Sequence, residues 1–116
     1  MKTVLVVEDD ILIQDAIAFD LKIAGYQVIV AADADEAIAI LEARQDIHLV
    51  FTDVRMPGSM DGAKLAAAVR HRWPPVNIIV TSGTGRPLTL PANALFIPKP
   101  YLSVAVVASI RSFEGM

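Results

Sequence analysis

Runs of four or five apolar residues alternate, five times along the chain, with longer stretches whose apolar positions recur every three or four residues. Short apolar runs bounded by turn residues predict buried strands, and the longer periodic stretches predict helices with one apolar face. The strands fall at Thr3–Val7, Gln27–Ala31, Leu49–Thr52, Val76–Val80 and Ala94–Ile97. The helices are clearest at Ile11–Ala24, Ala34–Arg44, Gly62–Trp73 and Tyr101–Phe113. Repeated strand–helix units predict a parallel sheet, because each crossover between parallel strands needs an element to cover the sheet. Gly25 stands after the first helix, where a left-handed residue commonly ends one, Asp33 precedes the second as a cap, and Asp61-Gly62 opens the third.

The fourth unit breaks the pattern. Thr81-Ser-Gly-Thr-Gly-Arg-Pro-Leu-Thr-Leu-Pro-Ala-Asn93 places two glycines and two prolines where a crossover helix belongs. In a helix interior Gly costs roughly 1 kcal/mol and Pro roughly 3 kcal/mol, so no three-turn helix fits. The expectation is a fourth helix that is short or disordered, with one turn around Pro87 to Ala92, and a sheet face left thinly covered for motion or a partner.

In an open α/β sheet, ligands bind beyond the carboxyl ends of the strands. Glu8, Asp9 and Asp10 follow the first strand, Asp53 follows the third, Thr81 and Ser82 follow the fourth, and Lys99 lies between Pro98 and Pro100 after the fifth. Carboxylates, a hydroxyl and a lysine gathered there suit a hard cation and a phosphoryl group. Each residue also has an ordinary reading: Asp9 and Asp10 as helix caps, Thr81 as a strand-end hydroxyl bonded to backbone, Phe96 as core. The combination favours a site, with Asp10 kept as the cap.

Composition narrows the classes. With 116 residues, 54% hydrophobic and 20% charged, the chain is sized for one domain, residues 1–116, with a sizeable core. The absence of cysteine excludes disulfides, thiolate metal sites and cysteine nucleophiles. A net charge of −3 argues against a nucleic-acid surface, and the one basic run, Arg70-His71-Arg72, falls at a helix end whose dipole favours cations. No apolar stretch approaches the roughly 20 residues of a membrane span, and no export signal follows Met1-Lys2, so a cytoplasmic protein without membrane association is expected. His48, His71, Trp73 and the four methionines read as packing or chain ends.

Val-Val-Glu-Asp-Asp at 6–10, Thr-Asp-Val-Arg-Met-Pro-Gly at 52–58, Asp-Gly at 61–62, Ile-Val-Thr-Ser-Gly at 79–83 and Pro-Lys-Pro at 98–100 together resemble the receiver domain of two-component response regulators. The likeness runs from Lys2 to about Phe113. It implies a flavodoxin-like (βα)5 three-layer sandwich with a parallel five-stranded sheet of order 2-1-3-4-5, in which Pro98 lies on an edge strand that tolerates it. It implies that Asp53 is the phosphoacceptor and that a sensor histidine kinase or phosphotransfer protein is the donor. Magnesium would be held by Asp9, Asp53 and the backbone carbonyl of Arg55, with Glu8 acting through water. Lys99 would pair with Asp53 and then with a phosphoryl oxygen, aimed by a cis Lys99-Pro100 bond, while Thr81 moves toward the phosphoryl group and Phe96 packs inward behind it. The resemblance implies no enzyme beyond catalysis of its own phosphorylation and dephosphorylation, a downstream protein target, and a monomer or weak dimer. The starting Met1 favours a free-standing regulator over a piece of a hybrid kinase.

Three features depart from the family. The turn Met56-Pro-Gly-Ser-Met-Asp-Gly62 carries one residue more than the family's common form, Arg55 stands at a position that the resemblance puts beside the path of hydrolytic water, and the fourth helix, which family members often use for signalling, is reduced. Stand-alone receivers with this turn and a Phe-x-Pro-Lys-Pro-Tyr ending are the members it looks most like. A haloacid-dehalogenase-type phosphatase expects a second Asp where Arg55 stands, and flavodoxins and dinucleotide binders need a hydroxyl-rich or glycine-rich phosphate loop where Glu8-Asp9-Asp10 would repel phosphate. The remaining alternative is a receiver-like interaction module that is not phosphorylated. The complete acidic, hydroxyl and lysine set weighs against it, because like charges gathered without function only destabilise.

Overall fold

In the computed structural model, which describes residues 2–114, five parallel strands form one sheet in the order β2-β1-β3-β4-β5. The strands are β1 (Thr3–Val7), β2 (Gln27–Ala31), β3 (Ile47–Asp53), β4 (Asn77–Ser82) and β5 (Leu95–Pro98). The helices are α1 (Ile11–Ile23), α2 (Ala34–Ala43), α3 (Gly62–Arg72) and α4 (Ser103–Glu114). Met1 and Met116, read above as chain ends, lie outside the described residues. No helix among the described residues is long and apolar enough to cross a membrane.

Strand periodicity sorts the core into two clusters, one on each face. Leu5, Val7, Val50, Ile78 and Val80 pack under α2 and α3, while Val4, Val6, Phe51 and Ile79 pack under α1 and α4. All five residues of β1 are buried, as a parallel strand covered on both faces requires. Each such Val, Leu or Ile side chain contributes about 1.5–3 kcal/mol by leaving water. The expected caps form: Asp33 Oδ1 accepts from Glu36 N at 2.9 Å, Asp61 Oδ1 accepts from Lys64 N at 2.9 Å, and Gly25 ends α1 with φ +103°.

The crossover from β4 to β5 corrects the expectation of a helical turn around Pro87 to Ala92. Residues 83–94 form turns and extended chain, with no helix. Pro87 and Pro91 supply no N–H for a ladder, while Gly85 and Asn93 have φ of +99° and +67°, outside the helical region. Leu90 and Phe96 pack only partly against the α2/α3-side core, so this end of the sheet is thinly covered, as expected.

One glycine has a steric reason that its motif did not reveal. The α3 helix begins hard against the end of β3, with Gly62 N donating to Val54 O at 2.8 Å. A Cβ on Gly62 would lie 2.0 Å from the Asp53 carbonyl oxygen and 2.8 Å from Val54 Cα, so both backbones must part to admit it. Gly62→Ala is therefore expected to destabilise the fold by about 3 kcal/mol or more, as over-packing of a rigid contact does. An unchanged urea midpoint for that variant would contradict the close approach.

Candidate functional site

The acidic turn after β1 is built from its own backbone. Glu8 N donates to Ala31 O at 3.0 Å, extending the β1–β2 ladder by one residue. Asp10 caps α1, its Oδ1 accepting from Leu12 N at 2.9 Å and Ile13 N at 3.3 Å, and its own N–H donates to Glu8 Oε2 at 3.0 Å. Glu8 is buried and Asp9, between these two anchored residues, is exposed.

Asp53 comes to the same place from the middle of the sheet. It ends β3, is buried, and pairs in register with Thr81 on β4. One carboxylate oxygen each from Glu8, Asp9 and Asp53 lie within 4.8 Å of one another. Lys99 approaches from β5, held by Lys99 N donating to Ser82 O at 2.9 Å, and the Lys99-Pro100 bond is cis. Its Nζ lies 2.6 Å from Asp53 Oδ2 and 3.3 Å from Glu8 Oε1. The backbone N–H of Arg55 donates to Asp53 Oδ1 at 3.2 Å, while the Arg55 side chain is exposed.

Electrostatics here are unbalanced, with three carboxylates and one ammonium. Burial pushes the Glu8 carboxyl above its ordinary pKa, against the lowering effect of the Asp10 N–H and Lys99. Burial also works against the Lys99 ammonium, yet its hydrogen bond to Asp53 and the charges of Asp53 and Glu8 outweigh that and hold its pKa above the usual lysine value. The donor set is all oxygen, which suits a hard divalent cation such as magnesium or calcium. Next to it, Thr81 Oγ1 is buried and finds no hydrogen-bond partner among the described residues. Such an atom suits an incoming acceptor oxygen.

The structure thus brings Glu8, Asp9, Asp53, Thr81 and Lys99 together. Phe96 stands apart, paired in register with Val80 and half-buried in the cluster under α2 and α3. Sequence reasoning missed Gln14, a buried amide whose Nε2 donates to Glu8 O at 3.0 Å and Ala31 O at 3.3 Å. The signal was available, because Gln14 is the one polar residue on the buried face that α1 shares with Ile17, Ala18 and Leu21. It also missed an open apolar groove of about 640 Å³, in which Leu12, Ile13 and Ala16 face Pro100 and Tyr101 and which opens onto Lys99. Beside it Leu12, Ala16, Phe19 and Ile23 form an exposed stripe at intervals of four, three and four residues.

Comparison with known proteins agrees with the fold. The family model for the response regulator receiver domain matches residues 4–107. Similar proteins include the hydrogenase transcriptional regulatory protein HoxA of Cupriavidus necator, 42% identical over 81 residues, covering 70% of this chain and 16% of HoxA. The nitrogen assimilation regulatory protein NtrX of Azorhizobium caulinodans is 34% identical over 120 residues, covering 97% of this chain and 26% of NtrX. The chain therefore spans about a quarter or less of these relatives. Among solved structures, the receiver domain of the hybrid histidine kinase CckA superposes with a TM-score of 0.81 at 30% identity, covering 95% of this chain and 96% of that one.

Two measurements check the site's physical description. Replacing Thr81 by Val removes a buried hydroxyl without a partner while keeping its shape, so the variant should gain about 1–3 kcal/mol in urea unfolding. A loss would mean that the hydroxyl is bonded. Burial lifts Tyr101 to about 12, beyond its ordinary value, so its ultraviolet titration should lag behind free tyrosine. A folded-state pKa above the unfolded one means that stability is fully present below pH 10 and drains as the pH climbs from there to about 12. Tyr101→Phe should flatten that alkaline decline, and an identical decline would contradict the assignment.

Proposed function

The chain belongs to the response regulator receiver domain family, and on that premise we propose that Asp53 accepts a phosphoryl group from a sensor histidine kinase or phosphotransfer protein. The observation that carries this reading is the 2.6 Å pairing of Asp53 Oδ2 with Lys99 Nζ, at a strand end where Glu8 and Asp9 converge and Thr81 offers an unpartnered hydroxyl. A carboxylate oxygen of Asp53 attacks phosphorus, the P–N bond to the donor imidazole breaks as the O–P bond forms, and the imidazole takes up a proton. Lys99 moves from the carboxylate to a phosphoryl oxygen, replacing one anionic partner by another in the same place. Thr81 donates its hydroxyl to a second phosphoryl oxygen. Water then hydrolyses the acyl phosphate and restores Asp53, so the domain catalyses only its own modification.

Asp9 and Asp53, with the Arg55 carbonyl and Glu8 behind them, would hold magnesium. When bound, the cation supplies the positive charge that lets an anionic carboxylate meet an anionic phosphoryl group. Phe96 carries the change outward: as Thr81 is drawn into the site, the half-buried ring beside Val80 packs further into the space behind it. A downstream protein reads that change, and residues 1–116 act in the cytoplasm as one receiver unit.

The donor fits the apolar groove and stripe on α1. Phe19 and Ile23 are 63% and 73% exposed, and exposed apolar residues at this spacing offer a seam for a partner helix. The groove runs from that seam to Lys99, whose Nζ pairs with Asp53, which supports a donor docked along α1.

Acetyl phosphate with magnesium should add one phosphoryl group to the intact protein by mass, and Asp53→Asn should take up none. Undiminished uptake by Asp53→Asn would overturn the assignment, and absence of uptake in both would move the unphosphorylated interaction module to first place. For the donor, Phe19→Glu should slow transfer from a phosphohistidine protein relative to acetyl phosphate by about tenfold, the size of one interface anchor. An unchanged ratio would remove the seam from the donor's footprint.

A further inference from the structure

We infer that Gln14 is a positioning residue for the acidic site, and that its side-chain amide sets the direction of the Asp9 carboxylate toward a bound divalent cation. This deepens the function proposed above and rests on it. Gln14 lies on the buried face of α1, where an apolar side chain would serve the core, yet it is an amide. Burying an amide is unfavourable unless its hydrogen bonds are met. An amide nitrogen carries two hydrogens, and Gln14 Nε2 has two carbonyl partners, Glu8 O at 3.0 Å and Ala31 O at 3.3 Å.

The choice of partners is what matters. The Glu8 carbonyl belongs to the same planar peptide unit as the Asp9 N–H, so holding that oxygen holds the plane from which Asp9 departs. The Ala31 carbonyl already accepts from Glu8 N at 3.0 Å, so Gln14 also locks the end of β1 to the end of β2. On the other side of Asp9, the Asp10 carbonyl accepts from Gln14 N at 2.8 Å, and Asp10 N is bonded to Glu8 Oε2. Backbone on both sides of Asp9 is thus tied to Gln14, while the Asp9 side chain itself is exposed. A carboxylate that must meet a cation at a fixed point benefits from such outer support, and losing it typically weakens metal binding by about 10–100-fold. A purely structural role for Gln14 would instead change stability and leave the affinity alone.

The test compares wild type with Gln14→Met, which keeps the volume and removes both donors. Magnesium binding is measured by calorimetry, and the melting temperature is measured without metal. The expected result is a magnesium Kd raised about tenfold or more. A Kd within twofold of wild type, whatever the melting temperature, would overturn the inference. Should Gln14→Met fail to fold, wild-type nitrogen-15 NMR decides. Both Gln14 side-chain amide protons should exchange far more slowly than those of exposed Gln27 and shift on magnesium addition with the same Kd as Asp9. Exchange as fast as at Gln27, or no shift, would overturn it. If wild type binds no magnesium at all, the reading of the acidic site fails first and this inference falls with it.

Discussion

A single lysine ammonium between two buried carboxylates is the constraint around which this end of the molecule is arranged. Lys99 Nζ is 2.6 Å from Asp53 and 3.3 Å from Glu8, and among the described residues neither carboxylate pairs with another cation. Buried charges are expensive unless paired, and removing one partner of such a pair destabilises far more than the pair contributes. The lysine must therefore arrive in the right place. It does so because β5 lies on the edge beyond β4, with Lys99 N bonded to Ser82 O one step past Thr81. Parallel strands in the order 2-1-3-4-5 are what carry residues 8, 53 and 99 together at the carboxyl end of the sheet.

That arrangement leaves chemistry unfinished. Among the described residues, Asp9 adds a third carboxylate with no ammonium to match, and Thr81 keeps a buried hydroxyl without a partner. Stability alone gives no reason for either. An ion of charge +2 and a phosphoryl group would satisfy both, so the features that weaken the resting fold are the ones the proposed reaction uses. Gly62 belongs to the same economy of space, since the loop carrying Arg55 can return to α3 only because no Cβ stands against the Asp53 carbonyl.

Much of this was legible in the chain. The five strands and four helices fall within about two residues of their predicted limits, because strand and helix periods differ and turn residues mark the joins. Four strand-end motifs named the converging residues, since strands of one parallel sheet point their carboxyl ends the same way. Reading failed where a contact depends on one partner rather than on a repeating pattern. Glycine and proline content argued for a fourth helix that is short or disordered, and what it could not reveal is that the left-handed Gly85 and Asn93 leave not even one helical turn around Pro87 to Ala92. Gln14 went unmarked because its two carbonyl partners lie 6 and 17 residues away. The apolar groove needs α1 and the Pro100-Tyr101 segment side by side, which no local period encodes.

Carboxyl carbon-13 resonances of the wild-type protein, followed during a magnesium titration, test the central claim most directly. The account predicts that Asp9 and Asp53 shift along one saturable isotherm of a single site, with Glu8 following, while exposed acids such as Asp15 and Glu42 stay still. Shifts spread evenly over the exposed acids, or no saturable change at Asp9 and Asp53, would contradict it.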